Sequence, residues 1–400
     1  MFGIFKKNKK STSNHLIIDV GSGSVGSAIL VLEDNKNFAL TKVLRKETQV
    51  PNDVSFDQFV KIMTDSLRDV LSLMSQTSGK IEDVHVFLSS PWYASQSRDV
   101  SFSKEVPFVV TKKMIVDLLE KESDVFKKNL IKKYEGMAEN VVLLETKVLN
   151  IKLNGYDTED PVNKKTKSLE MNLFFSMSPE DIVSSINSLV RSIFQHSKIF
   201  FHTSSFSSFM ALRSLFPNTP SFILCDIGAE LTEVSSISSG SINQSVSFPI
   251  GSESFIKEII KNTSKNKLES LSLTRMFSEG SLSEEETLQF SKNIKSIEEE
   301  WMRYFTKSLN GLSVVGYIPR NVFIFVKNDM HKYFESLVKQ EPMYSKSANA
   351  PFSVMTIDPK TVSGAVRVAS SEPRDVSLMI SSFYMVNYIN HHKTNYAENY

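Results

Sequence analysis

Two short turns in this sequence combine carboxylate, glycine and hydroxyl residues at spacings that suit anion and metal chemistry. The first is Asp19-Val-Gly-Ser-Gly-Ser24 and the second is Asp226-Ile-Gly-Ala-Glu-Leu-Thr232. A glycine reaches backbone conformations closed to other residues and leaves room for a phosphate, so successive N–H groups can point at the anion. Gly21, Gly23 and Gly228 are therefore candidate phosphate contacts, with Ser22, Ser24 and Thr232 as hydroxyl donors. Asp19 and Asp226 would repel a bare phosphate, but each can hold the hydration shell of a Mg2+ ion that neutralises it. Two such turns facing each other would clamp a nucleoside triphosphate. The first cluster stands out because the chain has only 14 glycines in 400 residues, about half the usual share of ~7%.

Other glycine motifs fit less well. A dinucleotide-binding turn opens a helix and is followed by an acidic residue about 20 positions on, whereas residues 27–33 alternate as a strand. A P-loop needs Gly-Lys-Ser/Thr after four spacer residues, and the chain has none. A plain Gly/Ser hairpin with no ligand is the bland alternative for residues 19–26, and it weakens once the second turn is seen.

The elements that must position these turns are legible on either side. Residues 16–20 form an apolar run that ends at the first turn, and residues 28–32 and 38–44 resume strand character across the Asp34-Asn-Lys-Asn37 cluster. Phe56, Phe59, Val60, Met63, Leu67, Val70, Leu71 and Met74 recur at three- and four-residue spacings, which predicts an amphipathic helix. Residues 222–228, 231–237 and 242–248 repeat the strand, turn, strand, strand theme. In both copies an aspartate ends an apolar strand and a glycine follows two residues later. The copies lie about 200 residues apart, far beyond the ~20–50 residue period of a solenoid, so the repeat predicts two related lobes.

Between them, residues 83–176 read as a separate α+β unit. Strand candidates at 83–89, 140–153 and 169–175 flank a helix pattern over about 111–134. Residues 252–311 read as helical, with Phe290, Ile294, Ile297, Trp301, Phe305 and Leu309 on one stripe. A short strand at 322–326, a helix at about 330–337 and an apolar core segment at 379–389 complete the pattern. The expected division is a basic N-terminus (1–13), a first lobe beginning at 14–82, the inserted unit (83–176), the rest of the first lobe with the second lobe (177–390), and a polar tail (391–400).

Composition narrows the function classes. Lys+Arg of 46 against Asp+Glu of 45, with 41% hydrophobic residues, argues against a disordered tail protein and a broadly basic nucleic-acid binder. The single cysteine, Cys225, excludes a disulfide framework and multi-cysteine metal sites; it lies in an expected buried strand and reads as a core thiol. The seven histidines show no metal-ligand spacing along the sequence. No run approaches ~18 apolar residues, so no spanning helix is predicted and a cytoplasmic location is expected. Phe2, Ile4 and Phe5 beside Lys6, Lys7, Lys9 and Lys10 form a candidate peripheral contact with an anionic membrane, against the simpler reading of a frayed start. Trp92-Tyr93 is either a partner-binding edge of the insert or part of the insert's own core.

Taken together, the two turns resemble the phosphate motifs of the actin-like ATPase superfamily, and the insert and short helical second subdomain resemble its FtsA and PilM branches. The resemblance spans roughly residues 14–390, with specificity concentrated in the two turns. It implies an α/β, two-lobed actin-like fold (a duplicated ribonuclease-H-like unit) with an inserted α+β subdomain, and ATP with Mg2+ in the cleft. By transfer, Asp19, Gly21, Ser22, Gly23, Ser24, Asp226, Gly228 and Thr232 bind the cofactor, Asp19 and Asp226 meeting the metal through water. The resemblance also implies self-association, and partners drawn from division or pilus proteins through residues 83–176, at the inner face of the cell membrane.

Two departures bear on that expectation. Ala229 and Glu230 replace the glycines usual in the second turn, and a carboxylate near a γ-phosphate costs Coulomb energy unless it turns away. No glycine lies in residues 322–330, where Lys327 and Asn328 would fill the space against which a purine stacks. At most weak ATP hydrolysis is expected. The leading expectation is a cytoplasmic scaffold of the FtsA kind in cell division. The alternatives are a PilM-like pilus assembly component, a small-molecule kinase on the same fold, and a degenerate pseudo-ATPase that binds only proteins. A kinase would need a general-base aspartate lining the cleft, and none stands out beyond Asp19 and Asp226.

Overall fold

The computed structural model describes residues 12–33, 37–48, 50–51, 54–76, 79–133, 140–238, 240–312, 318–326, 330–341 and 351–391. Its opening strands are β1 (Thr12–Val20), β2 (Ser24–Glu33) and β3 (Asn37–Glu47), joined by tight turns into an antiparallel meander. Helix α1 (Phe56–Ser75) follows, and its start is fixed by a capping box in which Ser55 Oγ accepts from the Gln58 N–H and Gln58 Oε1 accepts from the Ser55 N–H. Met63, Leu67, Val70, Leu71 and Met74 of α1 are buried on the sheet. Burying each such side chain contributes about 1.5–3 kcal/mol.

Strand β4 (Asp83–Leu88) lies parallel to β1, so it belongs to the first lobe's sheet and not to the insert expected to begin at residue 83. Its burial on both faces reads locally like any short apolar strand. Only its long-range pairing with β1 assigns it. The insert itself comprises β5 (Ala94–Val109), α2 (Lys112–Lys133), β6 (Val141–Leu153), β7 (Tyr156–Asp157) and β8 (Lys165–Pro179), a four-stranded sheet in the order β5-β8-β6-β7 with its own core around Ile115, Phe126, Leu173 and Phe175. The chain then returns through α3 (Glu180–Ile193), β9 (Lys198–Thr203) and α4 (Ser204–Leu215).

The second lobe repeats the first. Strands β10 (Phe222–Ile227), β11 (Thr232–Ser238) and β12 (Ser241–Phe248) form the meander, α5 (Ser252–Thr263), α6 (Lys267–Ser278) and α7 (Glu284–Leu312) cover it, and β13 (Asn321–Val326) lies parallel to β10. After α8 (His331–Lys339) and β14 (Ser353–Thr356), the chain crosses back. A short turn of helix, α9 (Pro359–Val362), leads to β15 (Arg367–Val368), which pairs with β3, and to α10 (Val376–His391). The two sheets run β15-β3-β2-β1-β4-β9 and β12-β11-β10-β13-β14.

One buried cluster spans both lobes, with Phe206 and Phe209 of α4 and Met379 and Met385 of α10 packed between Ile17 and Phe87 on one side and Phe222 and Phe323 on the other. The outer faces are closed by α1 and α3 on the first sheet and by α5, α7 and α8 on the second. Residues 1–10 (the candidate membrane contact), Lys327 and Asn328, and residues 392–400 of the polar tail lie outside the described residues. Among the described residues, no helix is long and apolar enough to cross a membrane.

Candidate functional site

Asp19 and Asp226 hold equivalent places, each the penultimate residue of a central strand. Asp19 stands opposite Gly26 on the antiparallel side and Phe87 on the parallel side; Asp226 stands opposite Glu233 and Phe325. The fold therefore brings the two turns together. Gly21, Ser22, Gly23, Ser24, Asp226 and Gly228 line one cavity between the lobes, together with Arg45, Glu47, Ser90, Ala229, Glu233 and Glu253. Both aspartates line a smaller void behind it.

Within that arrangement the groups expected to meet phosphate and metal are engaged with one another. Arg45 Nη2 lies 2.8 Å from Asp19 Oδ2, Arg45 Nη1 donates to Ser24 Oγ at 2.8 Å, and its Nε and Nη2 reach the Asp375 carboxylate at the start of α10. Burial works against the guanidinium charge, and the fields of Asp375 and Asp19 outweigh it, so the group is locked in its charged form. Gly26 makes this possible: a Cβ there would lie 2.6 Å from Arg45 Nη2.

The turns also touch directly. A Cβ on Gly23 would stand 2.2 Å from the Ala229 Cβ, and the Glu230 N–H donates to Ser22 Oγ at 3.3 Å. The first residues of α5, whose N–H groups form a natural anion site, are spent on the second turn: Ser252 N–H donates to the Gly228 carbonyl at 2.9 Å and Glu253 N–H to the Ala229 carbonyl at 3.0 Å. Thr232 is turned away from the cleft. Fully buried, it donates to the Ile250 carbonyl at 2.7 Å and accepts from Trp301 Nε1 at 3.1 Å. Glu230 does turn aside, its carboxylate pairing with Lys257 Nζ at 3.3 Å.

Sequence reasoning missed the residues that close the cleft. Glu233 of β11 reaches across to the first lobe, accepting from Ser90 Oγ at 2.5 Å and from the Tyr93 hydroxyl at 3.0 Å, while Tyr93 also meets Ser205 Oγ at 2.7 Å. Burial pushes the Glu233 carboxyl above its usual range, against the donors around it, and pushes the Tyr93 hydroxyl up as well. Lys267 of α6 joins Glu47 of the first lobe, at 2.8 Å, to Glu253 of the second, at 2.7 Å. The available signal was register: Arg45 lies opposite Gly26, and Glu233 opposite Asp226, once the hairpins are paired.

Trp92 and Tyr93 pack with the first lobe and not in the insert's own core. Trp92 is fully buried in the first lobe, 4.6 Å from the Phe59 ring of α1, and its Nε1 donates to the Gly21 carbonyl at 3.0 Å. Cys225 is a buried core thiol, its pKa driven up by burial and by Asp226.

A Mg2+ nucleotide does not fit this arrangement. The interlobe cavity holds about 60 Å³, against the 300–1,000 Å³ or so of ordinary ligand pockets, and Arg45 already pairs with Asp19, the residue expected to meet a metal. A larger cavity of about 270 Å³ lies next to it, lined by Phe56, Pro91, Tyr93, Leu130, Ile131, Met177 and Leu231 at the meeting of α1, the insert and the second lobe. Ser90 and Leu231 border both cavities.

No family model and no curated protein matches the chain. Among solved structures it is similar to the PilM–PilN type IV pilus biogenesis complex, with 12% identity and a TM-score of 0.61 over 93% of this chain and 97% of that one. It is also similar to a protein of actin-like ATPase fold and unknown function from Bacteroides thetaiotaomicron (11% identity, TM-score 0.44, 97% of this chain and 99% of that one). A third likeness is to apo ParM (10% identity, TM-score 0.39, 96% of this chain and 99% of that one). The duplicated meanders, the paired Asp-x-Gly turns that face each other, and the match to PilM over nearly the whole of both chains give this protein the actin-like ATPase fold.

Proposed function

We propose that this chain is an actin-fold scaffold that holds a segment of a partner protein in the groove between insert and lobes, and that its interlobe cleft is a fastened joint and not a site of nucleotide turnover. The contrast between the two cavities carries the reading. The cleft that would house a nucleotide holds about 60 Å³ and is lined with carboxylates, while the neighbouring groove holds about 270 Å³ and is mostly apolar. An apolar groove with a few polar groups at its edge suits a short hydrophobic stretch of polypeptide anchored by one or two side chains.

The PilM–PilN pairing is a precedent for a protein of this fold that works through a protein partner. Nothing comparable supports the cell-division role over a pilus-type one. Self-association, and attachment at the inner face of a membrane through residues 1–10 or through the partner, belong to the same proposal. ATP and Mg2+ do not.

Calorimetric titration with Mg–ATP tests one half and site-specific photocrosslinking the other. The titration is flat for the folded wild type. A photoreactive residue in place of Phe56, at the exposed rim of the groove, captures one partner in the native cell, and Ile131→Glu abolishes the capture. Saturable Mg–ATP binding that Asp19→Ala removes, with no partner captured, overturns the proposal.

A further inference from the structure

We propose that His15, Asp83 and His85 form a binding site for a divalent first-row transition cation, with Zn2+ the best match. His15 of β1 pairs in register with Asp83 of β4, and His85 follows two residues along β4 on the same face of the sheet. The two strands are neighbours at the centre of the first lobe, so the backbone fixes the three positions. One potential ligand atom from each residue lies within 4.8 Å of the other two. His15 Nδ1 and Asp83 Oδ2 are 3.4 Å apart. In a tetrahedral site with bonds of 2.0–2.1 Å, ligand atoms stand about 3.3–3.4 Å from one another. One edge of the tetrahedron is thus already set, and side-chain rotation closes the rest. Both rings are buried, at 4% and 1% exposure, while the Asp83 side chain keeps 25% of its surface, which gives an ion an entry path and leaves the fourth position to water.

The surrounding contacts are compatible with the ring tautomers that the site requires. His85 Nδ1 and His202 Nε2 are 3.0 Å apart, so one of them donates to the other. On the far side of His202, its Nδ1 lies 3.7 Å from Glu145 Oε1. Burial alone would raise the Glu145 pKa; the interaction with His202, the charge of Lys147 and the hydrogen bonds of Thr203 outweigh it and hold the carboxyl below its usual range. With the His202 proton on Nδ1, facing the Glu145 carboxylate, His202 Nε2 accepts and His85 Nδ1–H donates, and this is the tautomer the site requires. The lone pair of His85 then sits on Nε2, the nitrogen turned toward the cluster. At the other ring, His15 Nε2 lies 2.9 Å from Ser13 Oγ, and Nδ1, a buried atom with no hydrogen-bond partner, faces Asp83 Oδ2; an ion there takes the Nδ1 lone pair in the tautomer whose proton is on Nε2.

Two imidazole lone pairs and a carboxylate therefore converge. Imidazole and carboxylate donors with no thiolate suit Zn2+, Co2+ or Ni2+ better than Cu(I), and the nitrogen content disfavours Mg2+ and Ca2+. A ligating histidine whose other nitrogen is held by a chain ending on a carboxylate is the usual support of such sites. Here that chain has a structural consequence: Glu145 lies on β6 of the insert and also accepts from Thr203 N–H at 3.0 Å and Thr203 Oγ1 at 2.6 Å. An ion on His85 tightens the chain that anchors the insert to the first lobe, since His202 and Thr203 lie level with Asp19 and Val20 at the strand ends that carry the first turn.

The test uses the full-length protein, stripped with a chelator and then titrated with Zn2+ by calorimetry and with Co2+ by visible absorption. One equivalent of Zn2+ binds, and Co2+ gives the intense visible bands of a tetrahedral site. His15→Gln and Asp83→Asn each weaken binding on the order of 100-fold or more, and His202→Gln, a positioning residue, by about 10–100-fold. Asp83 is partly exposed, so Asp83→Asn remains a folded test if a histidine variant misfolds, with circular dichroism as the check. The absence of saturable binding by the folded wild type at submillimolar Zn2+ overturns the site and leaves His15 and Asp83 as a structural contact. So does one equivalent bound equally well by His15→Gln and Asp83→Asn.

Discussion

Replacing Gly23 by alanine measures directly whether the two turns are pressed together. A Cβ on residue 23 would stand 2.2 Å from the Ala229 Cβ and 3.7 Å from its Cα. Carbon atoms rest about 3.5–4.0 Å apart, so the turns must separate by about 1.3–1.8 Å. Such overpacking costs about 1–3 kcal/mol. The same movement stretches the hydrogen bond from Glu230 N–H to Ser22 Oγ, already 3.3 Å long, whose loss adds about 0.5–1.5 kcal/mol. Gly23 does not occupy the left-handed region, so the alanine brings no backbone strain and recovers about 0.4–1 kcal/mol through the unfolded chain. The net expectation is a loss of about 0.5–4 kcal/mol, centred near 2.

Ala229→Gly in the same molecule removes the opposing methyl and restores most of that loss, giving a coupling of at least about 1 kcal/mol in a double-mutant cycle. Equilibrium denaturation followed by tryptophan fluorescence reads both lobes, since Trp92 lies in the first and Trp301 in the second. If Gly23→Ala is as stable as the wild type, or loses as much with glycine at 229 as with alanine, the turns stand apart in solution and the space between them is open to a phosphate.

Three further outcomes are expected. Gly26→Ala puts a methyl within 2.6 Å of Arg45 Nη2 and forces the guanidinium to shift against Asp19, costing about 1–3 kcal/mol in thermal unfolding; a neutral result would mean that the side chain moves aside without loss. Tyr93→Phe removes a donor from Glu233, whose raised pKa makes its contribution to stability full below about pH 4.3 and progressively lost as pH rises through the folded value. The substitution therefore costs about 1.5–3 kcal/mol at pH 8, where the carboxylate is charged, and less at pH 4, and equal losses at both would refute the assignment. Glu145 has the opposite sign: its lowered pKa contributes stability present above about pH 4.3 and lost as pH falls through the folded value, so Glu145→Gln flattens the acid limb of an unfolding-versus-pH curve.

The duplicated lobes were legible because each rests on local signals, an apolar strand closed by Asp-x-Gly and followed by a second and third strand. The helices at 56–75 and 284–312 were legible from their apolar spacing. What escaped the sequence was pairing between distant segments. Residues 83–88 have the composition of any buried strand, and only their place beside β1 separates lobe from insert. Strand β15 has two residues, too few for any periodic signal, yet it returns the chain to the first sheet. The same holds at the site. Nothing local marks Gly26, whose role is to admit a side chain from the strand opposite. His15 and His85 show no ligand spacing along the chain because parallel pairing, not a local motif, sets them side by side.

The closing contacts of the cleft and the lining of the groove share residues, and this constrains how the two can behave. The Tyr93 ring forms part of the groove wall while its hydroxyl binds Glu233 of the opposite lobe. Ser90 borders the groove and donates to the same carboxylate, and Trp92 between them holds the Gly21 carbonyl of the first turn. A ligand that displaces the Tyr93 ring must break its hydrogen bonds to Ser205 and Glu233, leaving a buried carboxylate that only opening of the lobes can hydrate. A ligand that packs on the ring as it stands favours the closed arrangement instead. By linkage, lobe opening changes groove affinity by the same factor that groove occupancy changes lobe opening. If the groove holds a partner segment as proposed, this shared wall supplies a route by which that partner would bias the angle between the lobes.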